Sequence, residues 1–452
     1  MPSHSFSLRA SLLIAAAAAG VPRRGAAQEA RAGGSATWAL GAQGIGVVTR
    51  ASPAFVGRDF TEGYLTQPAV MGHAALLGGR LALRATLDLE GLTLGRGELT
   101  PGSYGEGYVD RRHPHTYSHE LVATVATDAA GARRYAVSLS AGKGFAPFGT
   151  DDPMSRPFVK FPANHHLAQI LERVAAVGAV RAGALILEGG AFNGDEPVGP
   201  GEAPTWRRFG DSWAGRLTLA PRGGRLAGVE LQGSHAWVES PELAGGGGVD
   251  QRKWSTSVRA ERGMPDADGH RYALVEWART DDVANGHRSF SYTSLLGEGA
   301  LTWRATQLAL RLERTERPEE ERLADPFRAA RPYTDFGILG RTRWDVVTTH
   351  VGLPRARAGA LRLGPFVEVA RARARALDRP SAFEPASFFG SATQWSFSTG
   401  LRLELGTLHR RMGRYGAAEP AGAHHAPHEG RMDGKETHHA EHETHTNHPR
   451  SP

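Results

Sequence analysis

The sequence predicts an all-β fold, a closed transmembrane antiparallel β-barrel of about 16 strands (range about 14–18), and three observations predict it. Apolar and polar residues alternate over segments of about ten residues, which places one set on each face of a strand. The apolar sets carry Trp near their ends, at Trp213, Trp237, Trp254 and Trp395, where an aromatic girdle sits at a membrane interface. After the N-terminus no apolar run approaches the ~18 residues that a spanning helix requires.

The elements follow in chain order. Residues 1–27 read as a signal peptide, with Arg9 before an apolar stretch from Leu12 to Ala19 and small residues at Gly25 and Ala27. No Cys follows that stretch, so a lipoprotein anchor is excluded. Residues 28–405 form the barrel domain. Leu81, Leu83, Ala85 and Leu87 alternate with Ala82, Arg84, Thr86 and Asp88, and Trp254, Thr256 and Val258 alternate with Lys253, Ser255, Ser257 and Arg259. Leu308, Leu310 and Leu312 alternate with Arg311 and Glu313, and Trp395, Phe397, Leu401 and Leu403 with Ser396, Ser398, Arg402 and Glu404. A soluble sandwich alternates too, but its strands average about five or six residues and its dry core rejects Arg and Glu.

Alternating segments start near residues 36, 68, 80, 116, 134, 168, 183, 212, 226, 251, 269, 290, 306, 336, 361 and 393. Arg222-Gly223-Gly224 and Arg304-Ala305 read as periplasmic turns. Links near 94–115, 145–166, 194–211, 240–250 and 316–334 read as extracellular loops or as constrictions folded into the pore. From 406 to 452 the chain is polar and without period, which predicts a disordered tail; with an even strand number it hangs in the periplasm.

Composition narrows the function classes. The chain holds no Cys, 40 % hydrophobic residues and a formal net charge of +6, which suits an envelope protein crossing an oxidising compartment. The positive charge comes from dispersed Arg with no basic run or aromatic-stacking motif, which argues against nucleic acid. Gly210-Asp211-Ser212 echoes a hydrolase string, yet no HExxH, Walker loop or paired-carboxylate spacing accompanies it. A barrel-embedded hydrolase is the weakest reading, and no enzyme is expected.

Three sets of residues are candidates for chemistry. His424, His425, His428, His438, His439, His442, His445 and His448 crowd the tail among carboxylates, a composition that chelates Zn, Cu or Ni without a preformed fold. No cofactor is otherwise required. Inward-reading Arg84, Arg216, Arg259, Arg311, Arg362 and Arg402 form either an anion-attracting ladder or a set of wall ion pairs with same-strand Asp88, Glu261, Glu313 and Glu404. The third set is a loop motif, Asp110-Arg111-Arg112-His113-Pro114-His115, followed by His119, and by His165-His166 near Asp151, Asp152 and Arg156.

The strings DRRHPH, GKGFAPFGTDDPMSRPF, NHH and Phe192-Asn193-Gly194-Asp195-Glu196-Pro197 resemble a family of porin-like outer-membrane proteins with an Asp-Arg-x-His-Pro-His motif. The resemblance spans about residues 105–200. It implies a barrel in the outer membrane and an association with heavy-metal resistance systems. Its functional positions map to Asp110, Arg111, His113, His115, Arg156, His165, His166, Asn193 and Glu196, while Thr116 departs from the acidic residue expected after the second His. The expectation is therefore a porin-like outer-membrane channel for small anionic or metal-related solutes, contacting lipid, plausible as a homotrimer, with a metal-binding tail. The competing expectation is a barrel plugged by its own loops.

Overall fold

A computed structural model describes residues 36–420 apart from 56–57, 95–97, 100–114, 128–133, 198, 204, 265–266, 321–337 and 379–380. The proposed signal peptide, the tail histidines, Asp110, Arg111 and His113 lie outside the described residues.

The chain forms β1 (Thr37–Phe55), β2 (Arg58–Leu76), β3 (Leu81–Asp88), β4 (Ser118–Ala126), β5 (Tyr135–Gly144), β6 (Arg173–Ala182), β7 (Leu185–Phe192), β8 (Ser212–Leu219) and β9 (Val229–Val238). It continues with β10 (Asp250–Arg262), β11 (Arg271–Ala284), β12 (His287–Trp303), β13 (Thr306–Glu320), β14 (Ile338–Gly352), β15 (Ala356–Ala358), β16 (Leu361–Ala376) and β17 (Thr393–Gly406). All lie in one sheet of 17 strands, and β1 pairs with both β2 and β17, so the sheet closes. The three-residue β15 only extends the turn before β16, and β14 pairs directly with β16. The result is a closed antiparallel barrel of 16 spanning strands. Closure leaves no unpaired edge, which is what lets strands cross a bilayer. No helix among the described residues is long and apolar enough to span a membrane.

The outer surface is apolar: Leu121 is 62 % and Leu187 57 % exposed. Trp213, Trp237, Trp254 and Trp395 all lie near the loop ends of their strands. Trp38 and Trp303 mark the opposite rim, at the start of β1 and the end of β12. These are the two girdles of a membrane-spanning wall. Short turns join strands at that opposite rim. One of them, Arg304-Ala305, takes positive φ at both residues (47° and 62°), the twist that suits a two-residue hairpin.

The strand starts read from the sequence agree with the fold to within three residues, except at β6, which begins at Arg173 rather than near 168, and at β2. It begins at Arg58 rather than near 68, because a bulge at Gln67-Pro68 breaks the alternation: the register with β1 shifts between Gln43 and Ile45, and Gln67 has φ 52°. An extra residue in one strand reverses the phase of the pattern.

A second correction concerns the chain after Gly406. Residues 407–420 are ordered and turn back into the barrel instead of trailing away from it. Gly406 makes the reversal with φ 65°, and a Cβ there would lie 2.3 Å from the Leu40 carbonyl oxygen. Together with the 145–172 link, this segment fills much of the interior, and most inward side chains of the strands are buried.

Candidate functional site

The 145–172 link enters the lumen because its composition suits no other place. Phe145, Phe148 and Phe158 are almost fully buried, so an excursion into solvent would expose them at a cost of ~1.5–3 kcal/mol each. The wall in turn supplies hydrogen-bond partners for the loop backbone. Glu368 accepts from Val159 N (2.8 Å) and Lys160 N (3.1 Å), and Glu313 accepts from Ala163 N (2.6 Å). Arg311 donates to the Lys160 carbonyl (2.8 Å) and Arg402 to that of Phe158 (3.2 Å). Arg311 also lies 4.0 Å over the Phe158 ring. These partners stand on β13, β16 and β17, across the barrel from the β5 and β6 ends of the loop.

The C-terminal segment is fixed in the same way against the other wall. Arg411 pairs with Glu230 (2.7 Å), and Arg414 donates to Thr218 (3.0 Å). Arg216 donates to the Gly413 carbonyl (2.8 Å), and Arg181 to the carbonyls of Ala417 (2.8 Å) and Glu419 (2.7 Å). Tyr415 accepts a hydrogen bond from Phe145 N at 3.0 Å. Asp151 of the inserted loop pairs with Arg411 and lies 3.6 Å from Arg414, so the two inserted segments brace one another.

All six predicted pore arginines are located on strands and engaged. Arg216 is bidentate on Glu188 (2.6 Å), Arg311 binds Glu298 (2.8 Å), and Arg362 binds Glu404 (3.1 Å). Arg84 lies 3.9 Å from Glu120 and pairs with Glu419, while Arg259 pairs with Asp151 and Glu261. Ion pairing replaces a free ladder at five of the six: Arg259 pairs with same-strand Glu261, while Arg216, Arg311 and Arg362 take partners on neighbouring strands. Glu188, Glu298 and Glu404 stand directly opposite Arg216, Arg311 and Arg362 on neighbouring strands. Directly opposed side chains are closer than next-but-one residues of one strand.

The described histidines of the loop motif, His115 and His165, meet His119 in a buried cluster at the loop-side end of β3 and β4. His115 Nδ1 lies 2.9 Å from Glu90 and 3.3 Å from Asp88 Oδ2. His119 Nδ1 lies 2.8 Å from Glu172, and its Nε2 3.3 Å from Asp152. The two imidazole centroids are 4.8 Å apart, and His165 stands 6.0 Å from His115. Burial opposes charge on His115, yet its bonds to Asp88 and Glu90 raise its pKa well above the ordinary value. Burial likewise pushes the carboxyls of Glu90, Asp152 and Glu172 up, and the hydrogen bonds from His115 and His119 outweigh it and hold all three low.

Other predicted residues do structural work nearby. His166 offers its carbonyl to Lys253 at 3.0 Å. Arg156 donates to Thr150 (2.8 Å) and lies within 3.8 Å of Glu276 and Glu298. Asn193 accepts from Val174 N (2.6 Å), and Glu196 pairs with Arg173 (2.7 Å). Ser212 donates to Asp211 (2.7 Å) and accepts from Glu239 N (2.9 Å), an arrangement that caps a strand end. The carboxylates Glu90 and Glu172 escaped the sequence reading. Both flank strand ends beside the histidine motif, and that adjacency was the available signal.

No family model and no curated protein matches the chain. Among solved structures it is similar to OprB of Pseudomonas putida (TM-score 0.48, 10 % identity, 82 % of this chain and 94 % of that one). It is also similar to OmpT of Vibrio cholerae, an outer-membrane protein in trimer form (0.46, 12 %, 82 % and 100 %). A third is an anion-selective porin from Comamonas acidovorans (0.45, 9 %, 82 % and 100 %). The barrel closes through the pairing of β1 with β2 and β17.

Proposed function

We propose that the protein is a porin-like outer-membrane barrel whose passage is closed by its own C-terminal segment, and that small solutes cross when this segment withdraws. The supporting observation is the packing of residues 407–420 against the β2–β9 side of the interior. Barrels of 16 strands ordinarily enclose an aqueous channel, so the closure here comes from inserted chain rather than from the wall. With the wall arginines engaged by carboxylates, the reading favours restricted, metal-related solutes over general anion flow. The histidines at 424–448 would follow the closing segment on the periplasmic side and bind divalent metal there.

The experiment is planar-bilayer conductance of the full chain beside Arg411→Ala/Arg414→Ala. The expected result is rare, brief openings in the wild type and sustained conductance in the double variant. Silence in both at every salt concentration would favour the second reading, a binding barrel that conducts nothing. That reading draws on the same burial of the inward wall.

A further inference from the structure

We propose that Asp88, His115 and His119 form a binding site for one divalent transition-metal ion of the zinc, copper or nickel class. One ligand atom from each lies within 4.8 Å of the others, and all three residues are buried. Imidazole and carboxylate together suit these ions. Asp88 supplies the independent sign of a missing partner. Its Oδ1 accepts from Glu90 N at 2.8 Å, and its buried Oδ2 is left with a long 3.3 Å approach from His115 Nδ1, which is turned to Glu90 at 2.9 Å. Such a group is costly to bury and calls for a cation.

The surroundings are built as an outer sphere. Glu90 Oε1 is fixed by Gln67 N (2.9 Å) and Thr66 (3.2 Å), leaving Oε2 for His115. Glu172 is fixed by Thr116 N (2.9 Å) and turned to His119 Nδ1, while Asp152, fixed by Met154 N (2.7 Å), stands 3.3 Å from His119 Nε2, the ring nitrogen that an ion would take. Carboxylates that hold imidazoles in this way orient them and raise their basicity as ligands. Phe145 (5.4 Å from His119) and Phe161 (5.7 Å from His115) flank the rings with apolar surface. The departure at Thr116 fits this arrangement, because its backbone N–H positions Glu172, which supplies the acid from another strand end.

This site does not depend on conduction. The test is calorimetric titration of the refolded full chain with zinc chloride, with the eight tail histidines changed to Gln to silence them. The expected result is one saturable site, weakened about tenfold or more by adding His119→Gln. Heat-modifiable electrophoretic mobility checks that each barrel is folded. No zinc-dependent heat in the tail-silenced chain overturns the proposal, as does an isotherm unchanged by His119→Gln in a folded barrel. Should that variant not fold, the zinc K-edge spectrum of the tail-silenced parent decides: two imidazole scatterers support the site, and none overturns it.

Discussion

Arg411, on the segment that follows the last strand, pairs with Asp151 on the loop between β5 and β6, and this contact joins the two pieces of chain that fill the barrel. Arg414 approaches the same carboxylate at 3.6 Å. Neither inserted segment is held by apolar packing alone. Each donates or accepts at fixed wall positions, and Asp151 is where the two sets of contacts meet. Loss of this carboxylate therefore acts on both segments.

Asp151→Asn should loosen residues 407–420 while leaving the barrel closed. Removing one member of a buried ion pair costs about 3–5 kcal/mol, because its partner remains desolvated. Limited trypsin digestion of the folded protein reads the effect, since Arg410, Arg411 and Arg414 are cleavage sites only when the segment leaves the lumen. Cleavage at these arginines at the wild-type rate would show that Asp151 is not the brace.

Acid should release the same segment in two stages. Burial lowers the pKa of His409, so its neutral form belongs to the folded state. That contribution is full above the unfolded value of about 6.5 and declines as pH falls below it. Burial pushes the Asp151 carboxyl up, but Arg411, Arg259 and Arg414 hold it low. Its contribution is present above about 3.9 and is lost only as pH falls through the lower folded value. Pulsed hydrogen exchange at residues 411–415 should therefore rise modestly below pH ~6.5 and steeply below ~4. His409→Gln should abolish the first stage and keep the second; a first stage that survives this change would assign it to another group.

The wall was legible in the sequence, and the 145–166 link folded into the pore was one of its two readings; the C-terminal filling was not legible, for a physical reason. A strand with one face in lipid carries period two wherever it lies, so Leu83, Leu87, Arg84 and Asp88 declare their sides without reference to neighbours. The 407–420 segment has no period, because each of its contacts is made with a different strand. Arg411 and Arg414 sit in the stretch read as a disordered tail until Glu230, Asp151 and Thr218 are brought to them by closure. The histidine motif stood between these cases. His115, His119 and the His165-His166 pair were visible as candidate ligands, while Glu90 and Glu172 became partners only through the pairing of β2, β3 and β4 and the return of the loop into β6.

Glu298→Ala should destabilise the barrel more than an ordinary wall substitution. Glu298 accepts from Arg311 (2.8 Å) and from the Tyr272 hydroxyl (2.6 Å), and Arg156 lies 3.7 Å away. Truncation leaves the buried Arg311 guanidinium without its carboxylate and removes the negative charge beside Arg156, at a cost of about 3–5 kcal/mol. Urea unfolding in lipid vesicles, followed by Trp fluorescence, gives the comparison. Thr348→Ala, which removes a buried wall hydroxyl without an ion pair, should cost about 1–3 kcal/mol at most. Equal shifts for the two variants would mean that the ion pair adds nothing.

Gly149→Ala should displace the inserted loop. Gly149 has φ 65°, and a Cβ on it would stand 1.6 Å from the Ala168 carbonyl oxygen. The overlap is with backbone, so the loop cannot relieve it by turning a side chain. The Gly149 carbonyl also accepts from Arg216 (3.1 Å) and from Gln232, which tie this bend to β8 and β9. A shift here moves Asp151 and Asp152 together, away from Arg411 on one side and His119 on the other. The substitution should thus raise both trypsin cleavage at Arg411 and the zinc concentration needed for half-saturation of the buried site. Gly199→Ala, where a Cβ meets open space, serves as the control and should change neither. If Gly149→Ala altered cleavage but not zinc binding, the loop would brace the C-terminal segment without helping to form the metal site.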